Sequence, residues 1–234
     1  MLDILSILAI LPGVVLVILV YKMDRIEKEP ISFILRLLWT GIVSTFFAAI
    51  IEVLGELFLY NLFGESFITN FLMYFLVVGG AEEGVKYFSF MKFAWNNREF
   101  NYKFDAIVYS VSISMGFAIY ENIKYVKMFG MGTAVARAFS SVPGHAIFAI
   151  IMGMFLGKAR AEENYSTMYG PNKSKFYKRM ALIVPMLVHG LYDFLLVSET
   201  TAAYFGWFIL LMLMYWFAYI ILTRCSKDDE YIGI

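Results

Sequence analysis

The chain has 234 residues, of which 61% are hydrophobic, 18% aromatic and only 16% charged, and its nineteen basic and nineteen acidic residues cancel to a formal net charge of zero. So apolar a composition exceeds what a soluble domain needs, and the balanced charge offers no electrostatic footprint for nucleic acid. Cys225 is the only cysteine, which excludes a disulfide framework and a cysteine-based metal site.

Seven apolar stretches are long enough to cross a hydrocarbon core of about 30 Å as helices. They run from Leu2 to Tyr21, Ile31 to Tyr60, Phe67 to Trp95, Asp105 to Tyr125, Thr133 to Gly157, Met180 to Val197 and Tyr204 to Thr223. The second and third exceed the required length, so tilt, a re-entrant turn or an interfacial extension is expected there. The first stretch follows Met1-Leu2-Asp3, which is not basic, and ends in Val20-Tyr21-Lys22 without a small-residue cleavage pattern; it is expected to stay as a helix.

Loop charge sets the expected orientation. Lys22, Arg25 and Lys28 follow the first stretch, Lys92, Arg98 and Lys103 the third, Lys158, Arg160, Lys173, Lys175, Lys178 and Arg179 the fifth, and Arg224 and Lys227 the seventh. The loops around Gly64 and Glu199 have no Lys or Arg, and the one around Gly130 has only Lys124 and Lys127 nearby. The bias of cations to the cytosolic side therefore predicts about seven spans, with the N-terminus outside and the C-terminus in the cytosol. The fold class is all-α: a polytopic transmembrane helix bundle forming one integral-membrane domain over residues 1–234. The longest polar stretch, Lys158 to Arg179, reads as a cytosolic connector with a turn at Tyr169-Gly170-Pro171-Asn172. Gly153 and Gly157 form a small-residue face suited to close helix packing, and Gly79, Gly80 and Gly84 let neighbours approach the third helix or loosen it.

Against this background, ionisable groups deep in apolar segments stand out, because each costs several kcal/mol to hold in hydrocarbon. The third segment carries Glu82, Glu83 and Lys86; Glu82 and Lys86 lie one helical turn apart and can neutralise each other. Adjacent carboxylates in a low-dielectric site do not ionise together easily, which suits one of them to act as a base or ligand. Taken alone, Glu82 and Lys86 also read as an intrahelical pair that merely makes the helix insertable. The fourth segment brings Glu121 beside Asn122, which also reads as an interfacial glutamate. The fifth carries Pro143-Gly144-His145, where the proline is expected to kink the helix and open space beside His145. The sixth carries His189 and Asp193 at i and i+4, a spacing that lets the carboxylate orient the imidazole or lets both face one centre. These are the chain's two histidines. Glu52 and Glu56 read as packing or groove-lining residues, and Arg36 and Arg137 can snorkel to the interfaces, with Glu52 or Glu56 as a further partner for Arg137.

Glu82-Glu83-x-x-Lys86, then Phe117-x-x-x-Glu121, His145 and His189-x-x-x-Asp193 resemble, in order and helix placement, the PrsW family of intramembrane proteases. The resemblance covers the third to the sixth helix. A more distant likeness is to the CAAX-processing and bacteriocin-immunity membrane proteases, with Glu-Glu-x-x-x-Arg, Phe-x-x-x-His and His-x-x-x-Asn. Here Lys86 comes one position earlier than that arginine, Glu121 stands for the histidine and Asp193 for the asparagine, and these departures favour PrsW.

The resemblance implies a membrane-embedded metalloprotease, in a prokaryotic plasma membrane, that cuts a membrane-anchored protein such as an anti-sigma factor. Glu82 or Glu83 is then the general base for an attacking water, Lys86 neutralises the pair, Glu121, His145 and His189 are the expected Zn²⁺ ligands, and Asp193 orients His189 or replaces a ligand. A metal-free version is also open, with Glu82 activating water and His189 and Asp193 polarising the carbonyl. The competing readings are a CAAX-like peptidase, a proton- or ion-coupled transporter using the same carboxylates, and a non-enzymatic scaffold.

Overall fold

The computed structural model describes residues 4–169 and 173–233, the side chains of 165–169 excepted. The turn expected at Gly170-Pro171-Asn172 falls outside them. Among the described residues the regular structure is helical: α1 (Ile4–Met23), α2 (Ile31–Phe63), α3 (Phe67–Leu72), a π-helical stretch (Met73–Val78), α4 (Gly79–Phe93), α5 (Asp105–Phe129), α6 (Met131–Phe139), α7 (Ser141–Tyr169), α8 (Ser174–Val197) and α9 (Thr201–Lys227).

Six helical segments are long and apolar enough to cross a bilayer: Ile4–Met23, Ile31–Phe63, Asp105–Phe129, Met131–Asn164, Ser174–Val197 and Thr201–Lys227. The stretch expected as a further span, Phe67 to Trp95, forms an unbroken helical run through α3, the π-helical stretch and α4. Its lower apolarity has a plain cause, since α4 bears Glu82, Glu83, Lys86 and Lys92. The cation-bearing loops gather at one end of the bundle: Asn101 reaches Glu27, Lys103 pairs with Glu230, and Lys178 lies over the Trp95 ring.

α5 is the centre of the bundle, buried along most of its length and packed against α1, α2 and α7. The outer faces of α1, α2 and α9 leave Leu19, Trp39, Phe46, Phe58, Phe205 and Trp216 exposed, which suits hydrocarbon rather than water. The packing role read for Gly153 and Gly157 holds: a Cβ would stand 2.5 Å from Ile107 Cα at the first and 2.5 Å from the Lys103 carbonyl oxygen at the second. The polar connector after Lys158 is largely helical, because α7 continues as helix to Tyr169 and α8 begins at Ser174.

Two local departures from straight helix shape the site. The kink expected at Pro143 is instead a break at Ser140, which separates α6 from α7. Pro143 then stands in the first turn of α7, where a missing N–H costs nothing. The π-helical stretch ends at Gly79, just before the paired glutamates, and such wide turns recur at functional sites. Beside it, α8 comes unusually near: a Cβ on Gly190 would meet Phe75 Cα at 2.7 Å, and one on Gly79 the Met186 carbonyl oxygen at 2.8 Å.

Candidate active site

This close approach brings His189 of α8 to the glutamates of α4, and the break at Ser140 brings His145 of α7 to the same place. Glu82, Glu83, Lys86, His145 and His189 are all buried, the most exposed at 5%. The Lys86 ammonium donates to Glu82 Oε2 at 3.1 Å and Glu83 Oε1 at 2.8 Å, lies 3.2 Å from His145 Nδ1, and sits 4.2 Å from the centre of the Phe117 ring. The intrahelical pair read from the sequence therefore exists, yet it is part of a larger cluster.

Each imidazole is held from two sides. His145 Nε2 lies 3.0 Å from Glu121 Oε2, and His189 Nε2 lies 3.2 Å from Asp193 Oδ2 while its Nδ1 lies 3.0 Å from Glu83 Oε1. The Phe148 ring stacks on His189 at 4.6 Å, and the Ser114 hydroxyl donates to the His145 carbonyl oxygen at 2.9 Å. These contacts fix ring planes before any substrate arrives, which is how carboxylates beside ligating histidines commonly act.

Glu82, Glu83, His145 and His189 can each offer one ligating atom, all within 4.8 Å of one another, so the group could hold a metal ion. The donor chemistry fits, with two imidazoles, two carboxylates and a further carboxylate behind each ring. Glu83 Oε2 is buried and accepts no hydrogen bond, which leaves one oxygen of the set uncommitted. The Lys86 ammonium meanwhile supplies positive charge at the centre of the same donors. A cavity of about 330 Å³ opens onto Glu82, Glu121, His145, His189 and Asp193, with Tyr74 and Leu196 among its walls.

Glu82-Glu83, Lys86, Glu121, His145, His189 and Asp193 thus meet around one cavity. The family profile described as PrsW family intramembrane metalloprotease matches residues 29–222. The chain belongs to the PrsW family. It is 36% identical over 210 residues to Protease PrsW of Geobacillus kaustophilus (strain HTA426), covering 88% of this chain and 85% of that protein. It is 34% identical over 197 residues to Protease PrsW of Bacillus subtilis (strain 168), covering 84% of each. It is also 31% identical over 229 residues to Protease PrsW of Clostridioides difficile (strain 630), covering 96% of this chain and 89% of that protein. No solved structure gives a significant match.

As a PrsW family member with spanning helices, the protein is an integral membrane protease of the bacterial plasma membrane, and its substrate is a membrane protein. Arg137, which the sequence left to snorkel or to pair with Glu52 or Glu56, takes a different partner. Its Nη2 donates to Glu121 Oε2 at 2.7 Å and its Nε to Asn122 Oδ1 at 2.9 Å. A cation in an apolar segment was the available signal, but its partner sits beyond the turn at Gly130, and the sequence does not give the angle at which α6 leaves α5. Glu52 lines the cavity as read, and Phe148, one turn after His145, lines it too, a role that one phenylalanine among the chain's 23 gives no sign of in sequence.

Proposed function

We propose that this PrsW family member hydrolyses a peptide bond in a single-span, membrane-anchored protein of the anti-sigma-factor kind, with Glu82 as general base and Glu83, His145 and His189 as ligands of a zinc ion. The observation that carries the reading is the meeting of those four residues within 4.8 Å beside a cavity. Glu82 faces the cavity whereas Glu83 lies behind it with 0% exposure, which favours Glu82 for the water and Glu83 for the metal. Glu121, expected among the ligands, is here given the task of holding His145, because its Oε2 already accepts from Arg137. Asp193 holds His189 in the same way.

In this scheme Glu82 takes a proton from the attacking water as its oxygen bonds to the scissile carbonyl carbon. It returns that proton to the amide nitrogen as the C–N bond breaks. A bound zinc supplies Lewis-acid polarisation of water and carbonyl. A helical substrate must unwind locally before its backbone reaches the cavity. The cation-bearing loops share one end of the bundle, which supports an orientation with that end and the C-terminus in the cytosol.

One observation favours a metal-free variant: the Lys86 ammonium lies within 3.2 Å of Glu82, Glu83 and His145. Metal content and cleavage of a single-span substrate, measured together on purified wild type and His189→Ala, decide between them. Stoichiometric zinc in wild type, lost with cleavage in a folded His189→Ala, supports the zinc reading. Cleavage by metal-free protein supports the variant, and no cleavage in well-folded protein overturns both.

A further inference from the structure

A second cluster of carboxylates lies at the cation-rich end, sixteen residues along α5 from Glu121 and so about 24 Å from the catalytic cavity. The loop from α1 to α2 carries Asp24 and Glu29, and it folds over Asp105 at the start of α5. Their exposures are 2%, 3% and 0%, and one oxygen from each lies within 4.8 Å of the others. Glu29 Oε2 accepts from the Tyr109 hydroxyl, and Asp105 Oδ2 accepts from the backbone N–H groups of Asn101 at 3.0 Å and Tyr102 at 2.7 Å. Two of the three carboxylates are therefore anchored through one oxygen each.

Asp24 supplies the independent sign of a ligand. Both of its carboxylate oxygens are buried and accept no hydrogen bond, and the same is true of Asp105 Oδ1. The nearby Lys28 offsets their charge only from a distance, since its ammonium makes its hydrogen bonds instead to the backbone carbonyls of Tyr21, Lys22 and Asp24 at the end of α1. Asp229, from the segment after α9, adds a further buried and unmatched oxygen, Oδ2, while its Oδ1 accepts from the Phe104 N–H at 2.9 Å. Burying carboxylate oxygens without a hydrogen bond, and with only a partial counter-charge nearby, is unfavourable.

We propose that Asp24, Glu29 and Asp105 bind a hard divalent cation, of the Mg²⁺ or Ca²⁺ class, which clamps the α1–α2 loop to the start of α5. The donors are all oxygen, the set that such ions take and that zinc and softer metals do not require. Ca²⁺ accepts irregular shells of six to eight oxygens and Mg²⁺ retains several waters, so three carboxylates with solvent complete either shell. The clamp joins the α1–α2 loop to the far end of α5 from the catalytic cavity, so it acts on the stability of this end of the bundle and not on the chemistry.

Tb³⁺ is a suitable probe, because it is a hard oxygen-seeking cation and Tyr109 and Tyr102 stand close enough to sensitise its luminescence. Metal-stripped full-length protein in non-ionic detergent should show one saturable Tb³⁺ signal, displaced by Ca²⁺ or Mg²⁺ up to millimolar concentrations. Glu83→Gln and His189→Ala should keep that signal. Asp24→Asn should weaken it at least about tenfold. Melting temperature is the second readout: wild type should rise with Ca²⁺ or Mg²⁺, and Asp24→Asn should match or exceed wild type in chelator and lose the rise. The proposal is overturned if neither ion displaces Tb³⁺ or raises the melting temperature, or if Asp24→Asn responds as wild type does; protons shared among the carboxyls would then account for the cluster.

Discussion

The Lys86 ammonium lies 3.2 Å from Nδ1 of His145, across 59 residues of sequence, while also holding both glutamates of its own helix. A fixed cation therefore stands among the donors that could bind a metal, and the two positive charges compete for one place. Replacing Lys86 with Met should leave Glu82 and Glu83 uncompensated and destabilise the metal-free protein by about 3 to 5 kcal/mol. Added zinc should recover much of that loss. Melting curves of Lys86→Met and wild type, each with chelator and with zinc, check this; an equal loss in both conditions would show that lysine and metal do not share the place.

Glu82 and Glu83 are neighbours in sequence with different surroundings, so their amides should separate two functions. Glu82→Gln should retain zinc while cleavage falls by about 10² to 10⁴, the usual contribution of a general base. Glu83→Gln should lose both. Metal analysis beside single-turnover cleavage distinguishes the two, and zinc loss in Glu82→Gln with retention in Glu83→Gln would reverse the assignment.

Glu121 accepts from Arg137 and faces His145 through the same oxygen. In the proposed scheme it positions the imidazole and touches no metal. Glu121→Gln should then weaken zinc binding by about 10- to 100-fold, with cleavage returning at high zinc. If Glu121 were itself a ligand, saturating zinc would not restore the rate, and a zinc titration of cleavage separates the cases.

The chemistry-bearing residues were legible because hydrocarbon makes each of them costly: Glu82, Lys86, His145 and His189 stand out from their apolar neighbours with no structure in hand. Their convergence was not legible from spacing. It depends on the break at Ser140, where the sequence pointed to a kink at Pro143, and on the π-helical turns before Gly79, which leave no periodic mark. Arg137 shows the same limit, since a cation announces itself in an apolar segment but its partner is set by how α6 leaves α5. Of the cluster at Asp24, Glu29 and Asp105, the first two lay in polar loop sequence and the third at the edge of an apolar stretch, places where acidic residues are ordinarily solvated.

The contact of Gly190 with Phe75 tests whether helix approach, rather than residue identity, assembles the site. A Cβ at Gly190 would stand 2.7 Å from the Cα of Phe75 and 2.9 Å from its Cγ, so backbone as well as side chain must yield. Gly190→Ala should cost about 1 to 3 kcal/mol by overpacking and push α8 away from α4. His189 is the adjacent residue and lies 3.0 Å from Glu83 Oε1, so even a small displacement stretches that contact. Cleavage should fall by more than the loss of folded protein accounts for, because a reacting geometry misplaced by about 1 Å can cost 10²-fold. Cleavage rates normalised to folded protein check this; a variant that melts lower yet cleaves at the wild-type rate would show that the site tolerates movement of α8.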